Sequence, residues 1–502
     1  MLISFVLKIY NKAMNPYEFM LPRLDGAELE KDPSRFIGLV EKGVSGFILF
    51  GGRLDAVRTG IGELQGRAGF PLIIASDLER GLGQQVQGGT VLPSAMAFGS
   101  AFINGVGEAD IGQAFSFLAA EARWAGINMV LAPVLDINSN PKNPIIATRA
   151  FGEEPQTVSR LGVLMARLIE RQGIYACGKH FPGHGDTHLD SHLEMPVIEK
   201  TFEALEQFEL KPFRAVISAG ISAIMTGHLK LPLEDPSGLP ATLSRRALGY
   251  LRRQMGFDDL IITDALNMAG AAGESGLREG QLAELALRAG ADILLHPVEP
   301  EQTARYLLKN LLTGAAGPVE AEMASAIRRL REKREALARM MPEPAAPDFM
   351  GNQRLAREMA IRAIRVAGEE KPFALDATRL LVVVLSDNPE RLAPFIRELG
   401  DRAPFIKILC NPEPGMADEG FQTAGLADNG RLLVVAHSTP EAWKPPSERL
   451  KEGIRRFSAL RPAWLSFGNP YIIHEEREKV LTYSDTPELQ REMAKRAAAG
   501  SL

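Results

Sequence analysis

The sequence has only two cysteines, Cys177 and Cys410, among its 502 residues. So few cysteines exclude a disulfide-stapled scaffold and fit a reducing compartment. No uninterrupted apolar run reaches about 18 residues, which argues against a membrane-spanning helix. The start Met1–Leu7 is apolar, but it is short and no basic residue precedes it. We therefore expect a cytoplasmic protein, although this apolar N-terminus leaves export open.

Neither sign of charge dominates, because 57 Lys and Arg against 62 Asp and Glu give a net charge of −5. The basic residues are scattered, so we expect no nucleic-acid partner and no polybasic membrane surface. Hydrophobic residues make up 45% and charged residues 24% of the chain. These fractions exclude disordered and fibrous classes. The oligomeric state cannot be predicted from this composition.

Eight short apolar runs alternate with amphipathic stretches through the first two thirds of the chain. The runs lie at residues 19–24, 44–50, 71–77, 129–136, 176–181, 222–228, 258–265 and 292–296. They are almost continuously hydrophobic, as expected for parallel strands that helices cover. Eight strand–helix units in about 320 residues predict an α/β fold with an N-terminal (β/α)8 TIM barrel.

A helical pattern from Pro318 to Met341 ends where three prolines follow within the six residues 342–347. Proline cannot continue a helix, so this segment is the best linker candidate. Beyond it the pattern predicts a helix at Gln353–Val366 and strands at 380–385, 405–409, 432–437 and 463–467. We therefore expect three parts. They are a catalytic barrel at 1–341, a linker with a helix at 342–372, and a smaller α/β sandwich domain at 373–502.

Histidine points to the chemistry, because four of the eight histidines fall within residues 179–192. His180, His184, His188 and His192 are spaced four apart, which on a helix would form one metal-binding face. The residues Pro182, Gly183 and Gly185 between them make a helix implausible. The segment instead leaves a predicted strand as a glycine-rich loop, and strand ends carry the catalytic residues of such barrels.

Other polar residues close other predicted strands of the barrel. Asp77, Asp136, His228 and Asp264 each stand at such a strand end. Asp77, Asp136 and Glu79 could also be caps or loop hydrogen-bond acceptors. Asp264 follows the apolar run 260–263, where a carboxylate is costly unless it has partners or a chemical role.

Two mechanisms could use these groups, and the residues alone leave both open. The first is metal-assisted hydrolysis by the His184–His192 cluster, although its spacing matches no common zinc pattern. The second is glycoside hydrolysis, in which a carboxylate attacks the anomeric carbon while another group protonates the leaving oxygen. A histidine held by an aspartate can replace the usual second carboxylate, and Asp190-Ser191-His192 supplies such a pair.

Residues 179–192 resemble the K-H-F-P-G-H-G-x-x-x-x-D-S-H signature of β-N-acetylglucosaminidases in glycoside hydrolase family 3. Three further stretches are similar to the same family in the same order. They are residues 131–152, 223–228 and 262–268. The resemblance covers residues 15–340, and the C-terminal domain resembles the second domain of the longer family members.

The resemblance implies a retaining exo-β-N-acetylglucosaminidase with no metal and no cofactor. Asp264 would be the nucleophile, and His192, oriented by Asp190, the acid/base. Four further matching positions would hold sugar hydroxyls: Asp77, Arg149, Lys179 and His180. His184 and His228 are weaker candidates.

A β-N-acetylglucosaminide phosphorylase or a β-glucosidase of the same family is the alternative. The aglycone stays open among peptidoglycan fragments, as in peptidoglycan recycling, chitin oligomers and glycoconjugates.

One departure concerns the pattern D-x-E-G-G-R-V, whose arginine binds the sugar in the family. Here the chain reads D-L-E-R-G-L-G-Q-Q-V from Asp77 to Val86. Arg80 lies two positions early, and Gln84 or Gln85 are the other candidates for the missing group. We expect the difference to affect sugar recognition more than the chemistry.

Overall fold

The protein divides into two compact units. Unit 1 comprises Met1–Thr90, Gly112–Asn140 and Glu153–Phe349, and unit 2 comprises Val91–Ile111, Pro141–Gly152 and Met350–Leu502. Two segments that precede the predicted linker therefore belong to unit 2. The computed structural model describes residues 15–187, 195–268, 276–312, 319–339, 344–367, 375, 380–403, 407–411, 432–438, 446–458, 460, 462–473, 476 and 479–502.

Unit 1 is a barrel of parallel strands. Its strands are β1 (Met20–Leu21), β2 (Arg23–Asp25), β3 (Gly46–Phe50), β4 (Ile73–Ser76), β5 (Met129–Val130), β6 (Tyr175–Phe181), β7 (Ala223–Thr226), β8 (Leu260–Thr263) and β9 (Leu294–Leu295). Strands β2 to β8 pair in chain order, β1 pairs with β9, and a bridge between Ile262 and Ile293 joins β8 to the β9 segment. Since β1 and β2 are separated only by Pro22, they act as one strand and the ring closes with eight. The predicted TIM barrel is confirmed.

Helices of unit 1 follow these strands. They span Gly26–Lys31, Ser34–Lys42, Leu54–Arg67, Glu108–Trp124 (which begins in unit 2), Pro155–Arg171, Phe202–Gln207, Lys211–Ser218, Arg245–Arg253, Glu279–Ala289, Pro300–Leu312 and Val319–Arg339. Pro155–Arg171 shows why they form: proline occupies its first position, where no amide donor is needed. Val158, Leu161, Met165 and Ile169 then recur every three or four residues and are buried.

Ion pairs hold the amino-terminal end of the barrel. Glu18, just before β1, pairs with Arg331 at 2.7 Å and Arg334 at 3.0 Å. Asp292, just before β9, pairs with Arg329 at 2.6 Å and also with Arg252. In barrels of this type the amino-terminal face serves stability, whereas the carboxyl-terminal face carries the active site.

Unit 2 contains a six-stranded sheet that helices cover. Its strands are β10 (Arg365–Ala367), β11 (Leu381–Ser386), β12 (Lys407–Cys410), β13 (Leu432–Ser438), β14 (Ala463–Gly468) and β15 (Lys479–Leu481), in the order β10-β15-β14-β13-β11-β12. All neighbours are parallel except β10, which is antiparallel to β15. Its helices span Ala95–Ile103, Phe349–Arg362, Ala393–Arg402, Glu448–Ser458 and Pro487–Ala498. This is the predicted second α/β domain.

Two details of the sequence prediction for unit 2 are wrong. The predicted helix 353–366 ends at Arg362, and Val366 lies in β10. The short strands β10 and β15 were not predicted at all. In the described parts of the chain, no helix has the length and apolar character needed to cross a membrane.

Candidate active site

Polar side chains gather at the carboxyl ends of neighbouring barrel strands. Asp77 follows β4, Lys179 and His180 lie in β6, His228 follows β7, and Asp264 follows β8. Because all these strands are parallel, their carboxyl ends share the same mouth of the barrel. The amide of Asp264 also donates to the carbonyl of Thr226, which ties the ends of β7 and β8 together at 3.0 Å.

Lys179 joins two carboxylates at this mouth. Its ammonium lies 2.7 Å from Asp77 Oδ1 and 2.7 Å from Glu79 Oε1, and its side chain is only 2% exposed. The Asp77 side chain is 28% exposed, compared with 10% for Glu79. A buried ammonium needs such partners, since an unpaired charge there would be strongly destabilising. Of the two carboxylates that hold the Lys179 ammonium, that of Asp77 is therefore the more accessible to solvent.

Asp136 organises the first two histidines of the segment 179–192. Its carboxylate lies 2.7 Å from His180 Nδ1 and accepts the amide of His184 at 2.7 Å. Complete burial would raise the pKa of Asp136, but the nearby His180 and His184 and these hydrogen bonds together hold it below its usual value. A carboxylate bonded to Nδ1 fixes the tautomer and the orientation of the ring. Asp136 is thus a positioning group for His180.

The loop after β6 is anchored up to Thr187. The Thr187 hydroxyl contacts His184 Nδ1 at 2.8 Å, and the Asn140 side chain donates to the carbonyl of Thr187 at 3.3 Å. At Gly185 a side chain has no room, because a Cβ atom would lie 1.7 Å from the carbonyl oxygen of Ile137. The glycine-rich sequence thus allows the loop to pack directly on the backbone that follows β5. His184 is buried as part of this anchor.

Asp264 is half-buried at the end of β8 rather than deeply buried as the apolar run before it suggested. Its Oδ1 accepts the amide of Ala265 at 2.8 Å. His228 is fully buried, and its Nε2 lies 3.1 Å from the carbonyl oxygen of Ala265. With Nε2–H as the donor, His228 holds the turn that carries Asp264. The carboxylate is therefore both fixed in direction and accessible from the mouth.

The buried Cys177 thiol in β6 responds to the charges at this mouth. Burial raises its pKa first; Lys179 opposes this, while Asp77 and Asp264 raise the pKa further. The ion pair of Lys179 with Asp77 and the shared carboxyl-terminal end of β4, β6 and β8 bring Asp77, Lys179 and Asp264 to one mouth of the barrel.

Comparison with protein families gives the identity of this barrel. Residues 54–332 match the model described as "Glycosyl hydrolase family 3 N terminal domain", which is more than half of the chain. The chain belongs to glycoside hydrolase family 3.

Relatives and a solved structure agree with this family. The chain is 34% identical over 341 residues to a β-hexosaminidase of Chromobacterium violaceum, covering 65% of this chain and 90% of that protein. It is 30% identical over 476 residues to a "Beta-N-acetylglucosaminidase/beta-glucosidase" of Cellulomonas fimi, covering 86% and 82%. A solved family 3 β-N-acetylglucosaminidase from Paenibacillus matches with a TM-score of 0.79 and 26% identity, covering 97% of this chain and 96% of that one. The protein is therefore a glycoside hydrolase.

The two arginines considered for sugar binding, Arg149 and Arg80, each lie in a short turn. Arg149 ends the short 3-10 turn Ala147–Arg149 and belongs to unit 2. Asn143 shapes the approach to this turn, because its side-chain oxygen accepts the amides of Ile145 and Ile146 at 3.0 and 2.8 Å. In unit 1, the amide of Arg80 donates to the side chain of Gln84 at 2.7 Å. Gln84 therefore holds the turn after Glu79.

Three residues of the histidine segment lie outside the described part of the chain. They are His188 and the predicted acid/base pair Asp190 and His192. Among the described residues, no group of three or more His, Cys, Asp or Glu side chains is arranged to hold a metal ion. Most of the His184–His192 cluster lies beyond those residues, so the metal alternative stays a prediction.

The structure adds three residues that sequence reasoning did not place in the site. From the sequence Glu79 is only a possible cap, yet it pairs with Lys179 across 100 positions of sequence. Thr187 supports His184. His296 follows β9 at the mouth, although the sequence pattern assigns it to the strand itself. Its position at a strand end is the same signal that singled out His228 and Asp264.

Proposed function

We propose that this protein is a retaining exo-β-N-acetylglucosaminidase, with Asp264 as nucleophile and His192, oriented by Asp190, as acid/base. The observation that carries the proposal is the half-buried Asp264 carboxylate, fixed by the amide of Ala265 at the barrel mouth. The β-hexosaminidase and β-N-acetylglucosaminidase names of the relatives support the choice of sugar. A terminal β-linked N-acetylglucosamine is thus the proposed substrate.

The reaction has two steps. In the first, an Asp264 carboxylate oxygen bonds to the anomeric carbon while the glycosidic C–O bond breaks, and the His192 imidazolium gives its proton to the leaving oxygen. In the second, the neutral His192 takes a proton from water. The water oxygen bonds to the anomeric carbon, and the Asp264 carboxylate is released. Two inversions leave the product with the β configuration of the substrate.

Substrate binding is assigned to four polar residues, three of which belong to unit 1 together with Asp264. Asp77 accepts hydrogen bonds from sugar hydroxyls, and Lys179, held between Asp77 and Glu79, donates to them. His180 presents Nε2 because Asp136 engages its Nδ1. Arg149 is the fourth proposed sugar-binding residue. His184 and His228 act in this scheme by holding the loop after β6 and the turn that carries Asp264.

Turnover of aryl glycosides tests the proposed substrate. The purified full chain should hydrolyse 4-nitrophenyl β-N-acetylglucosaminide faster than the matching β-glucoside. The NMR spectrum of the first-formed product should show the β-anomer. A preference for the glucoside, or an α-anomer as first product, would overturn the sugar or the mechanism respectively. Product analysis on chitobiose and on muropeptide-like disaccharides then identifies the aglycone.

Removal of the nucleophile tests the role of Asp264. Asp264→Asn keeps the shape of the side chain, so kcat should fall on the order of 10³-fold or more while the fold is retained. Asp258→Asn, at an exposed aspartate before β8, is the matched control and should leave kcat unchanged. Retention of kcat in Asp264→Asn would remove Asp264 from the mechanism.

Two related activities, β-glucosidase and phosphorylase, are the second candidates. The Cellulomonas fimi relative, which covers 86% of this chain, carries both sugars in its name and favours testing a β-glucosidase. A phosphorylase is the other, since a neutral histidine repels incoming phosphate less than a carboxylate does. Sugar 1-phosphate formed in phosphate buffer would replace the hydrolase with a phosphorylase. Loss of activity in EDTA would instead support the metal-dependent alternative.

A further inference from the structure

His296 adopts an unusual backbone conformation at the barrel mouth. Its φ angle is +53°, in the left-handed region, immediately after β9. Residues other than glycine seldom adopt this region, although histidine does so more often than most. Such a residue at a functional face is a reason to search for a role. The amide of His296 donates to the carbonyl of Leu21 at 2.9 Å, so the conformation is fixed by pairing with β1.

The chain after His296 is fixed as well. Glu279, at the start of the helix Glu279–Ala289, accepts the amides of Val298 at 2.7 Å and Glu299 at 3.2 Å. It also accepts the hydroxyl of Thr303 at 2.6 Å. A side chain presented from a backbone held on both sides is preorganised, which is what a recognition group requires.

The imidazole of His296 belongs to a small cluster with Phe50 and Arg23, which we call the His296 cluster. The ring centroids of His296 and Phe50 are 5.7 Å apart, and the Arg23 guanidinium carbon lies 4.6 Å from the Phe50 centroid. His296 follows β9, Phe50 ends β3 and Arg23 begins β2, and these strands are neighbours in the barrel. Phe50 and His296 are both half-buried. His296 and Phe50 thus place one imidazole and one aromatic ring side by side at the carboxyl ends of β9 and β3.

Burial favours the neutral form of the His296 ring. Burial lowers the pKa of His296 first and the positive charge of Arg23 lowers it further, while Glu279 and Asp77 oppose them. A neutral imidazole has one donor and one acceptor nitrogen, which suits an uncharged hydroxyl.

Two arcs of the mouth connect Asp264 with Asp77. One passes through His228, Lys179 and His180, and it is rich in charged and hydrogen-bonding groups. The other passes through the His296 cluster. A pyranose with its anomeric carbon at Asp264 and its far end at Asp77 presents a different edge to each arc. The C2–C3 edge carries two polar substituents and matches the first arc. The C5–C6 edge carries apolar C–H groups and one hydroxyl, and it matches Phe50 with His296.

We propose that His296 is a specificity-determining residue that hydrogen-bonds to the 6-hydroxyl of the terminal sugar, with the face of Phe50 against C5 and C6. The inference rests on the proposed glycosidase function and names a group that recognises the hydroxymethyl substituent. The ligand class is a terminal hexopyranoside, in preference to a sugar without a hydroxyl at C6.

The test compares two substrates in three variants of the full chain. The substrates are 4-nitrophenyl β-N-acetylglucosaminide and its 6-deoxy analogue. His296→Gly removes the imidazole and accepts the positive φ without strain, whereas His296→Asn tolerates that φ and keeps a hydrogen-bonding side chain. Val298→Ala changes a 55% exposed residue in the same loop and serves as the control.

The wild type should prefer the 6-hydroxyl substrate by about 10-fold in kcat/KM, the effect of one hydrogen bond. His296→Gly should remove this preference while leaving kcat/KM for the 6-deoxy substrate unchanged. His296→Asn should restore part of it, and Val298→Ala should retain it.

Equal losses on both substrates in His296→Gly would show a structural role and overturn the proposal, as would a wild type indifferent to the 6-hydroxyl. If the wild type turns over only β-glucosides, the proposed sugar fails. The β-glucoside and β-xyloside pair, which differ in the C6 hydroxymethyl group, then tests His296 in the same way. Turnover of no aryl glycoside would overturn both proposals.

Discussion

Both units gather polar residues at the carboxyl ends of parallel strands, but the two clusters differ in their access to solvent. In the barrel, Asp77 and Asp264 are partly exposed. In the sheet of unit 2, Ser386 ends β11, and its hydroxyl lies 2.8 Å from Nδ1 of His437 in β13. Nε2 of His437 lies 3.5 Å from Asp485 Oδ2. Serine, histidine and aspartate in contact are the residue types of a nucleophilic triad.

The surroundings of Ser386 indicate a structural role instead. Ser386 and His437 are each only 2% exposed. The Ser386 hydroxyl oxygen accepts the amide of Asn388 at 3.0 Å, and its backbone exchanges two hydrogen bonds with the Asn411 side chain. A distance of 3.5 Å between His437 and Asp485 is also too long for a good hydrogen bond. Residue types in contact thus make an active site only where a substrate can reach them.

The buried ammonium of Lys179 should give the largest effect in the barrel cluster. Lys179→Met removes the charge that neutralises Asp77 and Glu79, and we expect the free energy of unfolding to fall by about 3 kcal/mol. Equilibrium urea unfolding measures this change, and kcat/KM on the aryl glycoside should fall with it.

Lys200 provides a matched control for Lys179. It also lies 2.6 Å from each of two carboxylates, Asp186 and Glu209, but its side chain is 36% exposed. Lys200→Met should therefore cost less than Lys179→Met, about 2 kcal/mol, because only one of its two carboxylates, Glu209 at 4% exposure, is buried. Equal losses in the two variants would show that burial does not distinguish the barrel cluster.

Asp136 should show an acid-dependent effect of intermediate size. Because its folded pKa lies below its usual value, its carboxylate stabilises the fold above the unfolded pKa of about 3.9. That stabilisation is lost as pH falls through the lower folded pKa. Asp136→Asn should reduce the free energy of unfolding by about 2 kcal/mol at pH 7.

Urea unfolding of wild type and Asp136→Asn from pH 7 down to pH 3 measures this linkage. The difference between the two proteins should be constant near neutrality and shrink below about pH 4. Asp186→Asn, at a 41% exposed carboxylate on the loop after β6, is the control and should change stability little. A difference that grows on acidification would contradict the assigned direction of the Asp136 pKa.

The barrel was largely predictable from sequence, because its strands are buried on both faces and read as apolar runs. The runs at 258–265 and 176–181 match β8 and β6 to within two residues. The missed strands β10 and β15 have three residues each, too short for any hydrophobic period to stand out. The allocation of residues 91–111 and 141–152 to unit 2 rests on long-range packing, which local patterns do not contain.

The gathering of polar residues at the mouth was predictable wherever a polar residue closes or directly follows an apolar run, as at Asp77 and Asp264. Contacts between residues distant in sequence, such as that of Glu79 with Lys179, could not be predicted. The role of Asp136 shows the same limit. Its position at a strand end was visible, but only the structure shows that it orients His180 and His184. His296 closes the run 292–296 in the same way but was not singled out, and only the structure shows its left-handed backbone and its contact with Phe50.

Ser386 in unit 2 should give the smallest effect and sharpens the comparison most directly. Ser386→Ala removes the acceptor of the Asn388 amide and the partner of the buried His437 Nδ1, so the free energy of unfolding should fall by about 1 kcal/mol. Turnover of the aryl glycoside should be unchanged, and hydrolysis of 4-nitrophenyl acetate should equal that of the wild type. A specific loss of ester hydrolysis in Ser386→Ala would make the serine a nucleophile and the second sheet a second active centre. Because Ser386 and His437 are both almost completely buried, we expect Ser386→Ala to change stability and not ester hydrolysis.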